Sequence, residues 1–235
     1  MKVALLAALA PALALAAPIT YPIDPEATEL VALTRPAGLL RGAAHPHLIA
    51  ARRVEGEVVH DAEAPDASSV RVRFPAEALE VDDPDLRRKY GLDGTLDDGD
   101  RKKVAGAMRA EDQLDTGKHP TIAFESRSVR WLGGDRLEVR GSLAIRGVAA
   151  EIALPVRVTV KDGVLRGEGT VTVTHAMFRF DPFSTALGTI RNAEAILLRV
   201  TLVGRARAEP PVAGPATEPP PAAGAAAQPP PGATP

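Results

Sequence analysis

Two histidines separated by one proline are the densest group of potential metal ligands in the sequence. His45 and His47 flank Pro46, and side chains at i and i+2 of an extended segment point to the same side. Two such imidazoles could share a metal, but a zinc site needs a third protein ligand, and none is offered nearby by spacing. A polar strand entrance is the simpler interpretation. A metal- or haem-dependent enzyme or redox accessory is the alternative.

Other catalytic patterns are missing from the sequence. Cysteine is absent, which excludes disulfides, thiolate ligands and a cysteine nucleophile. Serine has no Gly-x-Ser-x-Gly context, and no phosphate-binding glycine loop is present. The acid pairs Asp82-Asp83 and Asp97-Asp98 are better explained as helix caps than as a catalytic dyad, and His60, His119 and His175 as polar residues at strand ends. The sequence therefore predicts a protein that is not an enzyme and has no cofactor.

Composition favours one globular domain. The chain has 235 residues, of which 45% are hydrophobic and 25% charged, enough to bury a sizeable core. The net charge is −2, so no global basic field attracts nucleic acid or anionic lipid.

The two ends differ from the middle. Residues 1–16 combine one lysine, a short apolar run and Ala14-Leu15-Ala16, a signal-peptide pattern with cleavage after Ala16. A membrane anchor is the alternative, but the run is shorter than the ~20 residues of a span. Residues 208–235 are rich in proline and alanine, which predicts a disordered tail. We expect a periplasmic or secreted protein with no membrane span after cleavage.

Residues 17–207 are dominated by alternation of apolar and charged side chains, which predicts half-buried antiparallel strands. Tight-turn residues such as Asp162-Gly163 separate consecutive strands. Single strands are predicted near Leu48–His60 and Ser69–Glu80. Residues 81–117 break the pattern with two helices, starting at Asp83-Pro84 and at Asp97 or Asp98. We expect an all-β antiparallel barrel of about eight strands, with a two-sheet sandwich as the alternative.

One face of these strands is strongly apolar. The even-numbered residues from Val148 to Val160 form a row whose neighbours are largely charged, so this row must face inward. Phe178 and Phe180 are expected to share one strand face. The predicted lining of an apolar cavity is Phe124, Leu143, Ile145, Ile152, Leu154, Val156, Phe178, Phe180 and Phe183.

Several phrases, in this order and spacing, resemble the YceI-like family of secreted bacterial proteins. They are Tyr21-Pro22-Ile23-Asp24, His119-Pro120-Thr121-Ile122-Ala123-Phe124-Glu125-Ser126, the alternating stretch from Val139 to Val148, and the phenylalanine-containing turn from Phe178 to Gly188. One branch of that family has Gly-His-Asp/Asn-His where this chain has Ala44-His45-Pro46-His47.

The resemblance implies an elongated, lipocalin-like barrel that holds a long apolar ligand, such as a polyisoprenoid or a fatty-acid derivative. The expected function is non-catalytic binding or carrying of such a lipid. A structural barrel with a packed interior is a further alternative.

Overall fold

Residues 17–92, 94, 96–185 and 188–207 are described by the structure, a computed structural model of the chain. The predicted signal peptide and the predicted tail lie outside these residues. Within them the strands are β1 (Ile19–Pro22), β2 (Glu29–Thr34), β3 (Pro36–Ala37), β4 (His47–Ala51), β5 (Glu55–His60), β6 (Ser69–Pro75), β7 (Leu79–Val81), β8 (Thr121–Gly133), β9 (Arg136–Ile145), β10 (Val148–Lys161), β11 (Val164–Thr174), β12 (Ser184–Thr185), β13 (Ile190–Asn192) and β14 (Ala195–Arg205). The α-helices are α1 (Pro84–Lys89) and α2 (Asp98–Arg109). Short 3-10 helices span Arg41–Ala43, Pro65–Ala67, Ala76–Ala78 and His175–Phe178.

Most of the strands form one antiparallel sheet, which confirms the predicted fold class. Its order is β1-β5-β6-β8-β9-β10-β11-β14-β2-β4-β7, eleven strands rather than about eight. The difference arises because two predicted strands are each broken. The first breaks between β4 and β5, where Arg53 has a φ of 55°, so β4 pairs with β2 and β7 while β5 pairs with β1 and β6. The second breaks after Pro75, where a 3-10 turn separates β6 from β7.

The sheet curls until its first strand meets its last long strand. β14 pairs with β2 along its first half, and near its end Gly204 forms an isolated bridge with Ile23, just after β1. The Asp24 amide donates to the Val203 carbonyl at 2.8 Å. A Cβ at Gly204 would lie 2.8 Å from the Tyr21 Cβ, so only glycine allows this approach. The contact closes the barrel and covers part of the free edge of β1.

Inward and outward side chains alternate along β9 and β10 as predicted. Leu137, Val139 and Leu143 of β9 are buried, whereas Arg140 on the other face forms an exposed ion pair with Glu138. The inward row of β10 ends earlier than expected, because Val160 is 46% exposed.

The connections give the barrel two different ends. The β5–β6, β8–β9 and β10–β11 connections lie at one end, here called the hairpin end. The longer β2–β4, β7–β8 and β11–β14 connections lie at the opposite end, here called the helix end, and carry α1, α2 and a small sheet with the strand order β12-β13-β3.

Aspartates start both helices, as predicted for one member of each acid pair. The Asp83 side chain accepts from the amides of Asp85 and Leu86 at α1, and the Asp97 side chain accepts from the Asp100 amide at α2. α1 packs against the outer face of β2 and β4 through Leu86. No helix among the described residues has the length and apolarity needed to cross a bilayer.

Candidate functional site

The barrel encloses a cavity of about 480 Å³, within the range of roughly 300–1,000 Å³ that is usual for ligand pockets. Its wall is almost entirely apolar, and it is built from the inner face of the sheet and one side of α2. All nine residues predicted for the lining stand on this wall: Phe124, Leu143, Ile145, Ile152, Leu154, Val156, Phe178, Phe180 and Phe183. Their role in binding a ligand stays a prediction.

The position of the Phe124 ring on the cavity wall depends on the neighbouring strands. Phe124 of β8 pairs with Leu143 of β9, and Gly141 of β9 pairs with Ile152 of β10. A Cβ at Gly141 would come within 2.7 Å of the Phe124 Cζ. The missing side chain at Gly141 therefore makes room for the Phe124 ring.

The phenylalanine group reaches the cavity from a turn. Phe178 ends the 3-10 helix His175–Phe178, which stops at Arg179 with a φ of 60°. The expectation that Phe178 and Phe180 share a strand face is therefore wrong, although both contact the cavity. Phe183 is 37% exposed and marks the point where the cavity wall meets the surface at the helix end.

Helix α2 covers the cavity at the helix end. Val104, Ala107 and Met108 of α2 contribute to the wall. After the helix, Gln113 is buried and its Nε2 donates to the Asp181 carbonyl at 3.3 Å. The narrow apolar stripe of α2, with Val104 and Met108 four residues apart, therefore faces the cavity.

A buried charged cluster stands beside the cavity at the helix end. His47 lines the cavity, and its Nδ1 donates to Asp82 Oδ2 at 2.6 Å. The other oxygen of Asp82 accepts from Arg87 Nη1 at 2.7 Å and from the Leu48 amide at 2.9 Å. Arg87 also donates to the Pro46 carbonyl at 2.8 Å. Asp82 and Arg87 are 1% and 2% exposed, so this His47–Asp82–Arg87 cluster joins β4, α1 and the end of β7 in the interior.

The cluster corrects one sequence expectation and adds to another. Asp82 is not a helix cap, because Asp83 caps α1. His47 is the first residue of β4, a strand entrance as predicted, but its ring is held by the buried Asp82 carboxylate. Burial by itself would raise the pKa of Asp82, but hydrogen bonds from His47, the Leu48 amide and Arg87 outweigh it, and the pKa lies below its ordinary value. The carboxylate is therefore charged at neutral pH and fixes the His47 tautomer with a proton on Nδ1.

The geometry does not favour a metal centre at the two histidines. His45 is exposed, whereas the Nδ1 of His47 is occupied by Asp82. The described residues contain no group of three or more His, Cys, Asp or Glu side chains placed to hold a metal ion.

Two further histidines contact the cavity. His175 directly follows β11, at a strand end as predicted, but it is only 4% exposed. Its Nδ1 donates to the Glu194 carbonyl at 2.9 Å. Its ring meets the Phe180 ring edge-on at 5.1 Å. His60 lies toward the hairpin end, where burial lowers its pKa.

Thr34 carries an unsatisfied hydroxyl at the helix end. The residue lines the cavity, pairs with His47 across β2 and β4 and is 7% exposed. Its Oγ1 is buried without a hydrogen-bond partner among the described residues. A buried hydroxyl that lacks a partner costs about 1–3 kcal/mol.

A family model for the YceI-like domain matches residues 21–202, almost all of the barrel. The chain belongs to the YceI-like family. A UPF0312 protein of Azotobacter vinelandii is 27% identical over 106 residues, 45% of this chain and 46% of that relative. The chain thus matches about half the length of this curated relative.

Solved YceI-like structures share the fold. The crystal structure of Burkholderia cenocepacia BcnA superimposes with a TM-score of 0.59 at 17% identity, covering 77% of this chain and 98% of that one. A Campylobacter jejuni YceI protein gives a TM-score of 0.51 at 13% identity, covering 68% and 84%. These likenesses support the barrel architecture of the YceI-like chain.

Neither the His47–Asp82–Arg87 cluster nor the unsatisfied hydroxyl of Thr34 was predicted from the sequence. One clue was present: a helix needs one cap, yet two aspartates precede Pro84, and Arg87 follows one turn later. The partner, His47, is 35 residues away from Asp82, so no local pattern connects them.

Proposed function

We propose that this YceI-like protein is a non-catalytic carrier of a long-chain apolar ligand, a polyisoprenoid, fatty acid or similar lipid, inside its barrel. The observation that carries the proposal is the cavity of about 480 Å³ with an almost wholly apolar wall. An interior packed for structure alone would leave few voids larger than a water molecule.

The apolar wall supplies the binding free energy. Each buried methylene contributes about 0.8 kcal/mol, so a chain of about twenty carbons contributes about 16 kcal/mol, more than the roughly 4–15 kcal/mol that association costs. No covalent step is required, and the few polar groups on the wall can orient one end of the ligand. The family resemblance, which implies a long apolar ligand, supports the same class.

We further propose that the chain is cleaved after Ala16 and works in the periplasm or outside the cell. The support is the signal-peptide pattern of residues 1–16. N-terminal sequencing of protein from the periplasmic fraction should begin at Ala17. An intact Met1 on the cytoplasmic protein would contradict this assignment.

The ligand can be tested with a variant that fills the cavity. Gly167 of β11 lines the cavity, and a Cβ built on it meets no atom within 4 Å. Gly167→Phe should therefore fold normally while its ring occupies ligand space. Thr170→Phe is the matched control, because Thr170 lies on the same strand but is exposed.

The measurement is native mass spectrometry and solvent extraction of protein purified without detergent from its own host. The wild type and Thr170→Phe should carry about one lipid per chain, and Gly167→Phe should carry at least tenfold less. A wild type that holds no lipid, and takes up none from added prenol or fatty acid, would refute the carrier proposal.

A further inference from the structure

Two leucines project from the surface at the helix end of the barrel. Leu39 is 91% exposed and Leu40 is 52% exposed, immediately after β3. Exposed apolar side chains that stand together beside a ligand cavity mark an interaction surface rather than a random feature. We call residues 38–41, together with the small sheet β12-β13-β3, the leucine tip.

The leucine tip has a defined backbone conformation, because backbone contacts hold the chain around the two leucines. Gly38 has a φ of 91°, and a Cβ there would lie 2.4 Å from the Thr189 carbonyl oxygen. The Leu40 amide donates to the same carbonyl at 2.9 Å, and the 3-10 helix Arg41–Ala43 follows directly. The two leucines are therefore presented at a defined turn.

Unpaired positive charge surrounds these leucines. Arg35, Arg41 and Arg191 are exposed, and none of them forms an ion pair or a side-chain hydrogen bond with a residue that the structure describes. Arg71 and Arg73 on the barrel wall, in contrast, each pair with a glutamate. In residues 35–43 and 181–192 the sequence has one carboxylate, Asp181.

The leucine tip is continuous with the entrance region of the cavity. Phe183 lines the cavity and is partly exposed, and its carbonyl accepts from the Asn192 amide of β13 at 2.9 Å. β13 in turn pairs with β3 through Arg191 and Ala37. One small sheet thus links a cavity residue to the projecting leucines.

We propose that the leucine tip docks the protein on an anionic phospholipid bilayer. Leucines of this kind insert at the boundary between headgroups and acyl chains, while arginines bind lipid phosphates with paired N–H donors. Each arginine near an anionic surface strengthens binding about fivefold. The net charge of −2 does not reveal this basic patch, because it is a sum over the whole chain. The inference goes beyond ligand binding, since it names the membrane as a partner.

The test is flotation of the mature protein with vesicles of phosphatidylglycerol and phosphatidylethanolamine, and separately of phosphatidylcholine alone. The wild type should float with the anionic vesicles, and added salt should weaken this binding. Leu39→Ser with Leu40→Ser should lower the partition coefficient at least tenfold, and Arg41→Glu with Arg191→Glu at least twenty-fivefold. Leu132→Ser is the matched control, because Leu132 is 38% exposed near the β8–β9 turn at the hairpin end, and it should bind like the wild type.

Three results would overturn the proposal: no flotation of the wild type, equal flotation of the double leucine variant, or self-association in sedimentation velocity that the leucine variant loses. The last result would assign the tip to a second copy of the chain. Gly167→Phe keeps the leucine tip intact and should float normally even when it holds no lipid. Failure of docking and failure of ligand binding are therefore measured separately.

Discussion

The two ends of the barrel are closed in different ways. At the hairpin end the β8–β9 and β10–β11 turns and the β5–β6 loop join the strands. The Asp66 carboxylate of that loop accepts from the Trp131 amide at 2.7 Å in an exposed contact. At the helix end the closure comes from α2, the small sheet and the buried His47–Asp82–Arg87 cluster. The difference teaches that alternating strands make the wall of a cavity, whereas its entrance must be made by the longer connections between them.

The largest expected effect is at the charged cluster. Asp82→Asn preserves size and tolerates the positive φ of 53°, but it removes the charge that pairs with the buried Arg87 Nη1 at 2.7 Å. Breaking one partner of a buried pair costs about 3–5 kcal/mol. Urea unfolding should show this loss.

Asp135→Asn is the matched control at the hairpin end. Asp135 lies 3.4 Å from Arg157, and the two side chains are 42% and 62% exposed. An exposed pair of this kind contributes about 0.2–1 kcal/mol. Equal losses for the two variants would remove the distinction between the ends.

The loss of folding stability at acidic pH should depend on Asp82. Hydrogen bonds hold the folded pKa of Asp82 below its ordinary value of 3.8, so its stabilisation is complete above that pH and is lost as the pH falls through the folded pKa. Below pH 3.8 the wild type should therefore lose stability more steeply than Asp82→Asn. Parallel curves in that range would show that Asp82 does not titrate with unfolding.

Two buried threonines, Thr28 just before β2 and Thr34 at its end, give a test with smaller effects. Replacing them by valine should change the free energy of unfolding in different directions. Near the hairpin end, the Thr28 hydroxyl donates to the Val203 carbonyl at 3.3 Å and accepts from the Val203 amide at 3.0 Å. Thr28→Val should cost about 1–3 kcal/mol, because the buried Val203 amide loses its partner. The Val203 carbonyl keeps its hydrogen bond from the Asp24 amide.

Thr34→Val, at the helix end, should be neutral or stabilise by up to about 1 kcal/mol, because it removes an unsatisfied hydroxyl. Thermal unfolding of both lipid-free variants measures the contrast. A clear loss of stability in Thr34→Val would mean that its hydroxyl has a partner in solution.

The apolar wall could be predicted from sequence because the side-chain period of a strand is a local property. Nine lining residues were named from alternation and from the phenylalanine group, and all nine reach the cavity. The helix caps at Asp83 and Asp97 could be predicted for the same reason, because each aspartate binds amides only two or three residues further along the chain.

Features that depend on distant pairing could not be predicted. The run from Leu48 to His60 alternates like one strand, yet its halves join different neighbours, because Arg53 adopts a left-handed conformation. Asp82 and His47 meet only when β7 pairs with β4. The contact between Phe178 and the cavity was predicted, but its 3-10 turn was not.

The bridge between Ile23 and Gly204 also has a kinetic consequence. Thr28 binds Val203 across 175 residues, and Asp24 binds Arg205 across 181 residues. Such pairings form slowly, because the chain loses loop entropy before the contacts compensate for it. A nascent chain that has not yet reached Gly204 cannot complete the barrel, whatever its local strand propensity. We therefore expect ring closure to be a late event in folding, and the hydrophobic interior to stay open until the last strand arrives.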